Sequence, residues 1–129
     1  MMMINSEAKK SLILGTAMLS LAVLIGAFGA HGLKNIVDST KLATFETGVR
    51  YHFYHGLGLF ILGLLQQNFQ TLRLKVSSYA FLVGILLFSF NCYFYVLTGV
   101  KVFAMLVPVG GLLFVLGWVV ILLKILKLR

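Results

Sequence analysis

Four long apolar runs, Leu12–Leu33, Leu42–Leu65, Tyr79–Leu97 and Val102–Leu123, are separated by three short polar stretches. Each run is near the roughly 20 residues that a helix, rising about 1.5 Å per residue, needs to cross about 30 Å of hydrocarbon. The runs are continuous and Leu-rich rather than alternating, which disfavours a membrane β-barrel. Four transmembrane helices are therefore predicted. The connections Lys34–Lys41, Asn68–Ser77 and Thr98–Lys101 are too short for anything but antiparallel neighbours. The predicted fold is all-α: an antiparallel four-helix transmembrane bundle with short loops, one domain over residues 1–129. Ser39 or Thr40 suits an N-cap for the second helix, and Gly99 suits the end of the third.

Composition strengthens this reading. Of 129 residues, 60% are hydrophobic and 11% charged, with a mean hydropathy of +1.03; soluble domains carry roughly 25% charged residues. An ordinary soluble protein is excluded. The formal charge of +8 would invite a nucleic-acid reading in a soluble domain, but here the basic residues flank the runs. Lys9, Lys10, Arg73, Lys75, Lys124, Lys127 and Arg129 fall on one side, against Lys34, Lys41 and Lys101 on the other. The positive-inside rule then places both termini in the cytoplasm, with anionic-lipid contact as an additional use of the charge. Met1–Leu33 has features of a signal peptide, but its apolar run exceeds the usual 7–15 residues and cleavage would leave an odd number of spans. Retention is expected. The single cysteine, Cys92, cannot form an intrachain disulfide and reads as a packing residue.

Antiparallel threading gathers the end of span one, the start of span two, the end of span three and the start of span four into one membrane half. By the lysine count, that half faces away from the cytoplasm. The polar residues His31, Glu46, Arg50, Tyr54, His55 and Asn91 concentrate there as a candidate packing or binding cluster, and the other half reads as almost purely apolar. Glu46 and Arg50 have the favourable i,i+4 order. Charge is costly in hydrocarbon, so the expectation is an ion pair turned inward, with His31 and Asn91 supplying hydrogen bonds. Three readings follow: an internal pair that fixes helix rotation, a polar pocket or proton-relay element, or an interfacial pair reaching headgroups. Exchanging Glu46 for Gln, then adding Arg50→Leu, separates the first from the second.

Other chemistry is poorly supported. His31, His52 and His55 lack a second ligand pair, an HExxH or a haem-attachment motif, so no metal or cofactor is expected. Gly26, Gly29 and Gly32 follow no strand and form no dinucleotide fingerprint. No nucleophile and base pairing emerges, which makes an enzymatic reading the weakest. Pro108 with Gly110-Gly111 predicts a loosened fourth helix. Small residues at helical spacing, Ala22, Gly26 and Ala30, Gly48 and Gly56, and Ala80 and Gly84, suit close helix packing within the chain or against a second copy.

The stretches Gly26–Leu33, Leu42–Tyr51 with Tyr54-His55, Leu97–Gly99, and Pro108–Gly111 with Gly117-Trp118 together resemble the family of small membrane proteins called domain of unknown function 423. The resemblance spans all four runs in order. It implies a multi-pass bacterial inner-membrane protein and supplies no established activity. His31, Glu46, Gly48, Arg50, Tyr54 and His55 fall on the family's motif. His52 departs from it, standing where the family usually has glutamine, and Phe90-Asn91 replaces a small Gly-Ser pair, which argues against close packing of spans two and three. The expected function is a non-enzymatic integral membrane protein, self-associating in the bilayer. The alternative is a small proton- or cation-coupled transporter acting as an oligomer, with Glu46 as the responsive carboxylate.

Overall fold

The computed structural model describes residues 3–128, and every regular element among them is helical. Helix α1 spans Ser6–Phe28 and runs into a π-helical turn, Gly29–Leu33; α2 spans Ser39–Asn68. The third rod is composite: α3 (Lys75–Ile85), a π turn (Leu86–Phe90), then α4 (Asn91–Thr98), followed by α5 (Lys101–Ile125).

Local chemistry explains the ends. The Asn5 side chain accepts from the Glu7 N–H at 2.9 Å and starts α1. Helix α2 is capped by Asp38 rather than by Ser39 or Thr40: its carboxylate accepts from the Lys41 N–H at 2.9 Å. An aspartate satisfies a free N–H and also places negative charge at the positive end of the helix dipole. As expected, the third rod stops at Gly99, whose φ of 72° is left-handed and whose N–H bonds the Tyr95 carbonyl.

The order of side-chain meetings shows how the rods lie. Along α1 and into its π turn, Leu12, Gly15, Leu19, Gly26 and Gly29 meet Gly63, Phe60, Gly56, Val49 and Phe45 of α2 in turn. The third rod runs back along α2, with Phe81 against Gly58 and Tyr93 against Gly48. Helix α5 in turn runs back along the third rod, with Gly110 at Phe88, Phe114 at Gly84 and Gly117 at Phe81. Successive rods are thus antiparallel, and α2 is the central one, with α1 on one flank and the third rod on another.

Three rods are long and apolar enough to cross a membrane: Ser6–Leu33 with 28 residues, Lys75–Thr98 with 24 and Lys101–Ile125 with 25. The run read as a second span, Leu42–Leu65, lies in α2, which does not meet that criterion. The reason is α2's position. Its buried face holds Gly48, His52, His55, Gly56 and Gln66 among apolar residues, so its composition answers to protein neighbours as much as to lipid.

Two apolar clusters fill the interior. One joins Leu59, Leu62, Phe81, Ile85 and Phe114, with Leu72 and Leu74 of the α2–α3 loop folded beneath it; the other joins Leu33, Phe45, Cys92, Tyr93 and Val96. The bulk of Phe90 does not keep the third rod from α2. The π turn ends at Phe90, which packs edge-on against His52 at 5.5 Å, while Gly48 receives Cys92 and Tyr93.

Candidate functional site

The polar residues of α2 divide between two faces. At about 100° per residue, Glu46 and Arg50 each lie roughly 160° around the helix from Gly48, one on either side. Gly48 presses on the third rod: a Cβ there would stand 2.9 Å from the Cβ of Cys92 and 2.9 Å from the Tyr93 ring. That contact turns Glu46 and Arg50 outward, and both are exposed. The inward orientation expected for them is overturned. The expected ion pair is absent as well, because the one salt bridge among the described residues joins Lys10 to Glu7 at 3.0 Å. Glu46 and Arg50 instead edge an open cleft of about 300 Å³ between α1 and α2, whose other walls are Gly26, Gly29, Ala30, Phe45 and Val49.

The remaining expected members scatter. His31 is exposed on the π turn after α1, and Tyr54 is exposed with its ring edge-on to Tyr51 at 5.9 Å. Asn91 is buried, and its Nδ2 donates to the carbonyls of Leu87 at 2.8 Å and Leu86 at 3.3 Å. It therefore serves the π turn that precedes it, not Glu46 or Arg50. Of the six residues, Glu46 and Arg50 share that cleft.

His55 belongs to a different centre, against α5. Its ring stacks on Phe114 with centroids 3.5 Å apart and planes 7° from parallel, and Phe81 meets it edge-on. Nδ1 lies 2.8 Å from the Tyr51 carbonyl, and Nε2 lies 3.1 Å from Trp118 Nε1. A carbonyl can only accept and an indole N–H can only donate, so the imidazole is the neutral Nδ1–H tautomer with both nitrogens satisfied. Trp118→Phe leaves Nε2 without its donor. The expected loss is about 1 kcal/mol, read as a lower melting temperature in detergent, and His55→Ala should cost more because the Phe114 stack goes too.

His52 is fully buried, with Nδ1 3.0 Å from the Tyr93 hydroxyl. Its Nε2 and the Ser89 hydroxyl are buried with no partner at hydrogen-bond distance among the described residues. The three histidines thus point to different neighbours and do not converge as a ligand set.

The half expected to be almost purely apolar holds a polar network of its own. Ser11 Oγ lies 2.9 Å from Ser78 Oγ, and Gln66 Nε2 donates to Ser11 Oγ at 3.1 Å, tying α1, α2 and α3 together in the interior. Nearby, Ser77 Oγ donates to the Gly117 carbonyl at 3.0 Å. A signal was present in the sequence: Ser77-Ser78 sits one turn after the basic loop, and Gln66 follows the small residues of α2 at helical spacing from Gly58 and Leu62.

Comparison with known proteins supplies a family. The chain is 36% identical over 119 residues to a UPF0382 membrane protein of Staphylococcus epidermidis, an overlap covering 92% of this chain and 97% of the relative. It is 35% identical over 120 residues to the UPF0382 membrane protein YwdK of Bacillus subtilis, covering 92% of this chain and 98% of that one. No solved structure matches the chain significantly. These names and the three apolar rods agree in supporting a membrane protein. The family described as protein of unknown function DUF423 matches residues 25–111, most of the chain, and the protein belongs to that family.

Proposed function

We propose that the protein is a non-enzymatic four-span bundle of the cell membrane, with both termini in the cytoplasm, whose Glu46/Arg50 face binds a second copy of the chain. The observation that carries this reading is the pair's placement: both charges are exposed and not bridged to each other, on a cleft walled by Gly26, Gly29 and Ala30. Unpaired charge facing lipid is costly. Gly26 and Gly29 are taken up by Val49 and Phe45 of α2, and the exposed Ala30 beside the pair leaves room for a neighbouring helix to approach closely, the main route to association where lipid removes the hydrophobic drive. A positive and a negative group one turn apart also form a self-complementary face, so a two-fold axis along the membrane normal can set Glu46 of each copy against Arg50 of the other.

Three further observations support the topology. Lys9, Lys10, Arg73, Lys75, Lys124 and Lys127 gather at one end, where the Asn5 N–H bonds Gln67 Oε1 at 2.8 Å and brings the chain start beside the end of α2. Helix α2, at 30 residues and about 45 Å, is long enough to cross with its neighbours. Its polar inward face is shielded by them. The test is subunit counting of fluorescently labelled protein in lipid vesicles at high dilution. Two or more copies per particle are expected, and persistent single copies would refute self-association. The transporter alternative keeps one supporting observation, the outward Glu46 carboxylate; solute-dependent proton uptake by proteoliposomes, lost in Glu46→Gln, is its signature.

A further inference from the structure

At the lysine-rich end, α1 and α3 are held together at the back by Ser11 and Ser78 and part towards the outside. They leave a cleft of about 270 Å³ whose walls include Ile13, Leu14 and Tyr79 and whose rim carries Lys10 and Lys75. A second, more polar cleft of about 310 Å³ adjoins it, sharing Glu7 and Lys75 and adding Gln66, Gln70 and Arg73. Ile13 and Tyr79 are more than half exposed, at 57% and 51%, so the lower cleft opens sideways as well as upward.

The charges differ in availability. Lys10 is taken by Glu7 at 3.0 Å. Among the described residues, Lys75 and Arg73 have no such partner, and Lys75 Nζ lies 5.9 Å from the centre of the Tyr79 ring, over the mouth of the cleft. An apolar slot opening towards lipid, with free cations and the exposed Gln70 amide at its upper end, fits a molecule with an acyl chain below and a negative headgroup above. We propose that this cleft binds an anionic phospholipid of the cytoplasmic leaflet. The phosphate is held by Lys75 and Arg73, the headgroup by the exposed Gln70 side of the adjoining cleft, and one acyl chain lies along Ile13, Leu14 and Tyr79.

The inference rests on the membrane placement proposed above and not on self-association. The purified full chain in detergent is melted with added phosphatidylglycerol, phosphatidylcholine of the same chains, or inorganic phosphate. Phosphatidylglycerol should raise the midpoint most, because a ligand of the native state stabilises it by mass action. In the double variant Lys75→Gln with Arg73→Gln its apparent affinity should fall roughly thirtyfold, at about 1 kcal/mol for each cation removed, while Lys75→Arg should preserve it. The variant Lys124→Gln with Lys127→Gln removes two cations outside the cleft and should change little. Equal response to both phospholipids, an equal loss in the Lys124/Lys127 variant, or reproduction of the shift by inorganic phosphate would overturn the assignment. A lipid preference that survives in particles counted as single copies would sink the self-association reading and leave this one standing.

Discussion

Copies carrying Glu46→Arg and copies carrying Arg50→Glu are expected to associate with each other and not with themselves. In a two-fold arrangement each Glu46 faces the other copy's Arg50. Glu46→Arg makes that face doubly positive and Arg50→Glu makes it doubly negative, so each variant repels its own kind across both contacts. Mixed, they restore two opposite-charge contacts, Arg against Glu in both directions. Residues 46 and 50 differ by about 6 Å in height along α2, a gap these long side chains can span. At an effective dielectric of 20, two unit charges 4 Å apart interact by about 4 kcal/mol before desolvation is subtracted. Even a quarter of that per contact makes mixed association at least about tenfold tighter than that of either variant alone. Subunit counting with two colours reads it directly: co-localised pairs in the mixture and single spots in each separate sample. A pairing confined within one chain predicts no rescue by mixing, because each copy would keep its own like-charged residues. Side chains that only reach the headgroups predict that neither single variant alters association.

The helices and one of their stops were legible in the sequence, because runs of about 20 apolar residues and a glycine after Thr98 have few alternative meanings. Rotation of α2 was harder to read. Charge alone, which lipid disfavours, turns Glu46 and Arg50 inward. The row Gly48, His52, Gly56 on the opposite face decided otherwise: Gly48 receives Tyr93 and Cys92, Gly56 receives Leu19, and His52 is enclosed with them. Glycines at helical spacing mark where backbones must approach, and a carboxylate and a guanidinium cannot share that face. The candidate cluster failed to assemble for a related reason: at about 100° per residue, His55 lies roughly 180° around α2 from Glu46 and roughly 140° from Arg50, so the face that turns His55 inward turns the charges out. The place of Asn91 is not legible in the sequence, because a π turn leaves no mark in a hydropathy pattern. The two carbonyls that Asn91 serves belong to that turn and its start. The Ser11, Gln66 and Ser78 network was obscured by counting charges, since none of the three carries one.

Gly110→Ala should be the most damaging single-methyl change in the chain, and Gly111→Ala should be harmless. The two glycines are adjacent on α5, but only one meets backbone. A Cβ at Gly110 would fall on the Phe88 backbone nitrogen, with the Leu87 carbonyl carbon at 2.8 Å. Both atoms belong to the π turn Leu86–Phe90, whose carbonyls at Leu86 and Leu87 are already tied to Asn91. A flexible side chain could yield by changing rotamer, whereas this contact yields only if α5 separates from the third rod. Separation would loosen the neighbouring contacts of Phe114 with Gly84 and with His55. Overpacking costs about 1–3 kcal/mol where side chains can adjust, and the upper end or beyond is expected here. At Gly111 the added methyl meets only the Phe88 ring at 3.7 Å, ordinary contact. Alanine is about 0.5–1 kcal/mol better than glycine within a helix, so Gly111→Ala should match the parent or exceed it. Melting temperature and yield of monodisperse protein in detergent read both variants. Equal behaviour of the two would mean that α5 does not meet the π turn as closely as Gly110 requires. The same logic extends to Gly15, where a Cβ would lie 2.6 Å from the Phe60 nitrogen and 3.1 Å from the Gly56 carbonyl oxygen. Loss of folding in Gly15→Ala would place the tight α1–α2 seam, like the α5 seam, among the contacts that make one bundle from five helices.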